Sequence, residues 1–460
     1  MAALSPWRAE GKLPRMSPPK PRVWIDGFAL SLTQGTGIAT YARGLAHTLR
    51  AEGGELGVLY GRPISGRGDA MEREIRFFDA QTQLRSPLYT RIRGVLTELQ
   101  RAHRVPTDGV VPAGISSAAL YSHFTTANLP PVDELWNAND VFGRAVVNFR
   151  IRRQLMRVRL ASGTPPEVMH WTHMHAARLE GTRNIYTIHD AIPLRLPWAT
   201  LDHKGAWLGS VRALARTAEH IVTVSEHARR DLISLIGIPE ERITNIHEPV
   251  FPPEDGLDRA QSLARLRSTL QLEDRGYFLF LSSVDPRKNL ARLLDAYQAS
   301  GVDRPFIIVG ATGSNAKQEL RVLTEVNGTR SADGRIRHMG FLPRLDVDIL
   351  LRHARALCFP SLYEGFGLPA IEAMQVGTAV LTSNTSCMPE IVGDAALTVD
   401  PSSTREIAGA LALLDRDDDL RIRFEQAGPA RAALFSPARF AERLTALYAR
   451  LGVHLPGGAA

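Results

Sequence analysis

Two cysteines in 460 residues, Cys358 and Cys387, leave no basis for a disulfide framework or a thiolate metal centre. They form neither a CxxC pair nor part of a Cys/His cluster, so Cys358 reads as core packing and Cys387 as an ordinary loop thiol. Also missing is any uncharged apolar run of about 18 or more residues, the minimum for a membrane-spanning helix. The N-terminus carries Pro14, Pro18, Pro19 and Pro21 among basic residues, where a signal peptide would have an apolar centre. These absences predict a cytoplasmic protein. No self-similarity at a period of about 20 to 50 residues is visible, which argues against a solenoid or propeller.

What is present is ordinary globular composition, 44% hydrophobic and 22% charged, in a chain too long for one comfortable core. Two domains of similar size are the expectation. The formal charge of +7 and pI near 9.6 suit an anionic partner: a nucleotide, a membrane surface or a nucleic acid. The densest basic cluster, Arg150, Arg152, Arg153, Arg157 and Arg159, alternates with apolar residues over 149–160. It reads either as an amphipathic helix in peripheral contact with anionic lipid or as a solvated helix face. No nucleic-acid-binding module is recognisable, which disfavours that partner.

Along the chain, residues 1–20 read as a flexible leader. Arg22 to Asp26 reads as a buried strand and Ile38 to Leu49 as a helix. The stretch from about 61 to 165 has no regular pattern, and short apolar runs there are broken by Gly, Pro and Ser. Regularity returns at Val168 to Trp171, Asn184 to Ile188 and Ile221 to Val224, with Ser225 placed to cap a helix to Ile236. Three prolines between Glu248 and Gly256 mark a domain boundary. Strands and helices then alternate, including a helix from about Lys317, which implies a parallel sheet covered on both faces. The expected division is 21–250, 257–436 and a closing helix over 437–455 that packs back on the first domain.

The most informative segment is Phe359 to Met374. A strand ends at Phe359, a loop with Gly365 and Gly367 follows, and Pro369 suits the first turn of a helix, where its missing N–H costs nothing. Free amides from Gly365, Phe366, Gly367 and Leu368 at a positive helix end form an anion site for phosphate. Glu364 and Glu372 flank that site. A carboxylate beside a phosphate must bind something else, and hydroxyls are the obvious donors. Arg287 and Lys288 follow another strand and can neutralise a diphosphate. Gly35 and Gly37 lie between a strand and a helix, where backbone can approach a ligand closely. His189 ends a strand; His170 and His173 end the one before it and are candidates to line a second pocket. Asp346-Val-Asp348 superficially matches a metal-binding DxD, but it precedes a helix and reads as helix-capping chemistry, so no metal is expected.

The Glu364-Gly-Phe-Gly-Leu-Pro-Ala-Ile-Glu372 spacing resembles the E-x7-E signature of glycosyltransferase family 4. Asp285-Pro-Arg-Lys-Asn289, Gly35 to Tyr41, Ile188 to Leu194 and Val224 to Asp231 resemble that family's other motifs, in order. The resemblance implies an α/β GT-B fold, two doubly wound Rossmann-like domains facing across a cleft, and a retaining transferase that needs no cofactor. The implied donor is a nucleotide diphosphate sugar, GDP-mannose or a UDP-sugar; the implied acceptor is a glycan or lipid-linked saccharide. By resemblance, Glu364 binds sugar hydroxyls, Glu372 the ribose, and His189 faces the sugar across the cleft. The wording of the motifs looks like mannosyltransferases of bacterial polysaccharide assembly, acting at the inner face of the membrane. One departure stands out: Ser282 and Ser283 occupy the place where many relatives carry a further arginine for the diphosphate. The competing readings are a phosphorylase, for which the pyridoxal phosphate lysine motif is missing, an epimerase, and a nucleotide-sugar-binding scaffold without turnover.

Overall fold

A computed structural model describes residues 20–31, 37–62, 113–114, 132–160, 163–200, 203–253, 256–311 and 334–458. The leader, Gly35, most of the irregular 61–165 stretch and the helix expected from Lys317 lie outside these residues.

The central strand of the first sheet, Arg22–Asp26, is buried from Val23 to Asp26 because neighbours pair on both edges and helices cover both faces. From edge to edge the sheet runs Ile243–Asn245, His220–Thr223, Arg183–Thr187, Val168–Trp171, Arg22–Asp26, Glu55–Tyr60, Glu134–Asn137 and Ala113–Gly114. All pairs are parallel except the last, which is antiparallel. Gly57 is required beside the central strand, since a Cβ there would stand 2.3 Å from the Trp24 indole. The second sheet is entirely parallel, in the order Ile336–His338, Phe306–Val309, Phe278–Leu281, Ala356–Phe359, Ala379–Ser383, Leu397–Val399.

The helix Gly37–Ala51 buries Tyr41, Leu45 and Leu49, one stripe at a spacing of four. Part of that stripe meets the chain's last long helix, Pro437–Arg450, where the Tyr41 and Phe440 rings cross edge-on at 6.1 Å. His170 fixes the same helix: its Nδ1 bonds the Tyr448 hydroxyl at 2.9 Å and its Nε2 the Thr187 hydroxyl at 3.0 Å. His170 is therefore a buried structural residue rather than a pocket lining. Two further ties join the sheets. The Tyr363 hydroxyl donates to Asp231 at 2.6 Å, and Glu390 accepts from the amides of Glu226 (2.8 Å) and His227 (2.9 Å) at a helix N-terminus.

Three expectations are corrected. The basic stretch 149–160 is not one helix: Val141–Arg152 ends at Arg153, which has φ 56°, and Met156–Val158 is a strand paired with Ala177–Leu179. Met156 and Val158 are buried while Arg157 is exposed, a period of two that a helix cannot have; Arg157 and Arg159 face Glu180. Cys387 does lie in a turn, ahead of a short helix, Met388–Val392, but it is fully buried there and packs in the core rather than being an ordinary loop thiol; both cysteines are free thiols. Asp346 lies in the first turn of Arg344–His353 rather than at its cap, and it binds Arg265 at 2.7 Å.

Candidate active site

The second sheet reverses its strand order between Phe278–Leu281 and Ala356–Phe359, and the loops after those two strands face each other at the sheet's carboxyl edge. Open α/β sheets bind ligands at such a point. In the first loop, the Asp285 carboxylate accepts from the Arg287 amide at 3.1 Å and starts a tight turn over Pro286–Lys288. Asn289, at φ 63°, closes that turn and donates to the carbonyls of Pro360 (3.0 Å) and Pro401 (2.7 Å), which fixes the loop to its neighbour.

That geometry puts Lys288 and Arg287 on one carboxylate. Lys288 Nζ donates to Glu364 Oε1 at 2.6 Å and Arg287 Nη1 to Glu364 Oε2 at 3.0 Å, with Lys288 and Glu364 only 6% and 5% exposed. Burial pushes the Glu364 carboxyl up, but Lys288 and Arg287 more than offset it and hold it below the usual carboxylate range. Lys288 is brought down to about 8 by burial and by the neighbouring Arg287, so it remains a cation at neutral pH.

Gly367, at φ 91°, turns the second loop into the helix Leu368–Gln375, with Pro369 in its first turn. Among the described residues no backbone acceptor faces the amides of Gly365, Phe366 or Gly367. Glu372 lies one turn further into the helix, 9% exposed, and accepts from Arg344 Nη1 at 2.6 Å. Its pKa is raised because burial outweighs Arg344. Arg344 went unread in the sequence, although a cation in the first turn of a helix opposes the dipole and implies an acidic partner elsewhere.

His189 approaches from the first sheet. Its Nε2 donates to the Thr172 carbonyl at 2.9 Å, which leaves Nδ1 as the acceptor, and burial lowers its pKa to about 4, so the ring is neutral. Gly365 passes directly beneath: a Cβ there would stand 2.8 Å from the His189 carbonyl oxygen. The two halves enclose a cavity of about 600 Å³ that gathers Gly37, His189, Arg287, Lys288, Gly365 to Leu368, Glu364 and Glu372 on one surface. Arg43, Glu248 and Arg344 line it as well, and sequence reasoning found none of the three. A second cavity of about 460 Å³ shares His189, Asp190 and Arg287 and extends into the first half between Phe28, Phe142, His173 and Trp207. His173 lines this cavity, and His175 joins it unforeseen.

Two doubly wound domains, with a cationic loop and a helix N-terminus across a cleft from a neutral histidine, have the architecture of a GT-B glycosyltransferase. The fold is shared, at TM-score 0.64 and 16% identity, with sucrose-phosphate synthase from Thermosynechococcus elongatus, over 94% of this chain and 99% of that one. Anabaena Alr3699/HepE in complex with UDP-glucose matches at TM-score 0.64 and 14% identity, over 94% of this chain and all (100%) of that one.

In sequence, residues 264–431 match the family "Glycosyl transferases group 1" and residues 136–252 match "Glycosyltransferase Family 4". O-antigen chain mannosyltransferase B of Escherichia coli is 33% identical over 264 residues, 56% of this chain and 68% of that protein. Serotype-specific mannosyltransferase WbdA of Escherichia coli is 28% identical over 294 residues, and the chain aligns with only 36% of that longer relative. The chain belongs to glycosyltransferase family 4 and is a hexosyltransferase.

Proposed function

We propose that this protein transfers mannose from GDP-mannose to a hydroxyl of a glycan or lipid-linked saccharide, with retention of anomeric configuration. The observation that carries the reading is the buried Lys288–Glu364–Arg287 cluster set beside the free amides of Gly365 to Gly367. In this reading residues 21–250 form the acceptor side, 257–436 the donor side, and the 437–455 helix returns to the first. The β-phosphate lies between the amides and Lys288, Glu364 holds sugar hydroxyls, and Glu372 holds the ribose. Both Glu364 oxygens are engaged by cations, so it is a poor nucleophile, which favours attack on the same face from which the diphosphate departs. The bond from the anomeric carbon to the phosphate oxygen breaks with its electron pair going to the diphosphate. The acceptor oxygen bonds to that carbon, and its proton passes to a departing phosphate oxygen. No step requires a metal, since Lys288, Arg287 and a helix end are available to offset the developing charge.

Mannose is favoured by the relatives' names; a UDP-sugar is the alternative donor. The aromatic wall of Phe28, Phe142 and Trp207 suits the apolar face of an acceptor sugar. Exposed Val146, Ile151 and Trp198, together with Arg150 and Arg152, support peripheral contact with the inner face of a membrane. Among the described residues, no helix is long and apolar enough to cross one. The test is thermal stabilisation by GDP-mannose, UDP-glucose, UDP-N-acetylglucosamine and UDP-galactose, in wild type and Glu372→Ala. Stabilisation by GDP-mannose that is lost in the variant is expected. A preference for a UDP-sugar would replace mannose, and an inverted product anomer would overturn retention.

A further inference from the structure

Among the described residues, four basic side chains, leaving histidine aside, line the main cavity, and three already hold carboxylates: Arg287 and Lys288 share Glu364, while Arg344 binds Glu372 at 2.6 Å and Asp348 at 2.8 Å. The fourth, Arg43, differs. It projects from Gly37–Ala51, is half-buried, and its guanidinium reaches only the Thr40 hydroxyl at 3.5 Å; no carboxylate pairs with it among the described residues. Burial lowers its pKa, and the one charge acting on it appreciably is that of Arg344, which lowers it further. Glu248 in the same wall offers no relief: burial and then Glu372 push its carboxyl up to about 8, so it is neutral at pH 7. Arg43 and Arg344 thus face one cavity from opposite halves of the molecule; Arg344 is offset by Glu372 and Asp348, whereas the charge of Arg43 meets no carboxylate among the described residues and is the one that an added anion would offset.

We propose that Arg43 is a donor-binding residue, which with Arg344 holds the nucleoside-proximal phosphate of the donor from the opposite side of the cleft. The assignment rests on the proposed donor site. Glu372 on the ribose places its partner Arg344 beside the phosphate attached to that ribose, while Lys288 and Arg287 serve the phosphate next to the sugar. Arg43 thereby supplies the charge missing at Ser282 and Ser283, which line the same cavity. It does so from the other half, so diphosphate binding draws the two halves together.

The experiment is calorimetric titration of the full chain with GDP and with UDP, and with guanosine and uridine as uncharged probes, in wild type, Arg43→Gln, Arg43→Lys and Glu372→Ala. For the diphosphate that wild type prefers, Arg43→Gln is expected to raise Kd roughly 10- to 100-fold, the value of a charge-assisted contact, and to leave the matching nucleoside unchanged. Arg43→Lys should recover part of the loss, and it keeps the test open if the glutamine variant does not fold. An unchanged diphosphate Kd in Arg43→Gln, or an equal loss for nucleoside and diphosphate, overturns the assignment. If Glu372→Ala weakens binding and Arg43→Gln does not, only Arg43 is wrongly placed. If neither variant matters, or wild type binds neither diphosphate, the donor-site reading fails and takes this inference with it.

Discussion

Lys288→Met removes one of the two cations on a carboxylate that is 5% exposed. Breaking a buried ion pair costs about 3–5 kcal/mol, because the surviving charge stays desolvated. Arg287 still holds Oε2 at 3.0 Å, so the lower end applies, about 3 kcal/mol. For a unit of this size each kcal/mol shifts Tm by about 2–4 °C, which gives a fall of roughly 6–12 °C. Glu364→Gln should cost less, since Lys288, already near 8, can release its proton. Replacing both at once removes both buried charges, and Arg287 retains Asp285 at 3.7 Å. The double variant should therefore lie at least about 2 kcal/mol above the additive expectation, well beyond the ~0.5 kcal/mol scatter of independent sites. Activity should not follow stability: all three variants should lose transfer by roughly 100-fold or more, the scale for removing one preorganised charge stabiliser. Calorimetric Tm and chromatographic release of nucleoside diphosphate measure the two quantities. Additive Tm losses, or recovery of transfer in the double variant, would refute the view that the cluster is both a buried ion network and the leaving-group site.

Other consequences are as direct. Lys288 loses its proton as pH rises through about 8, so donor affinity should decline above that pH, and Lys288→Arg should keep the pH profile flat. His170, His173 and His189 are held neutral by burial at about 3, 3 and 4, below their unfolded value. Depressed folded values mean that their contribution is fully present above pH ~6.5 and is lost as pH falls, by about 2 kcal/mol for each at pH 5. A Tm that is constant between pH 7 and pH 5 would contradict this. Gly365→Ala would drive a methyl group into the His189 carbonyl, 2.8 Å away, and should wedge the halves apart. Solution scattering should show an opened molecule with reduced transfer, while an unchanged profile with full activity would count against the observed closeness. Glu390→Gln should weaken the tie to the helix Glu226–Ile236; because burial of Glu390 is outweighed by His247 and the two amides, the same loosening should occur in wild type on acidification through the carboxylate range.

What could be read in the sequence was whatever local chemistry determines. Central strands such as Phe306–Val309 are apolar on both faces, and Gly367 and Pro369 mark the start of a helix within three residues, so Lys288, Glu364 and Glu372 could be singled out before any fold was known. Arg43, Arg344, Glu248 and His175 could not, because each acquires its role only where segments distant in the chain come together. The 149–160 stretch was misread for a different reason: with arginine at most alternate positions, a period of two and a helical face are hard to separate until pairing with Ala177–Leu179 decides. The most instructive difference lies within the motifs themselves. Read separately, Lys288 belongs to the diphosphate and Glu364 to the sugar; folded, they are bonded to each other. These roles are compatible, because an ammonium bonded to one carboxylate oxygen keeps two N–H donors and the carboxylate keeps unused lone pairs. One rigid, buried pair can then hold the departing phosphate and the transferred sugar in fixed relation, so the bond between them is positioned before an acceptor arrives. If so, shortening either side chain by one methylene, as in Glu364→Asp, should lower kcat far more than donor affinity, and equal losses in both would mean that the pair merely binds.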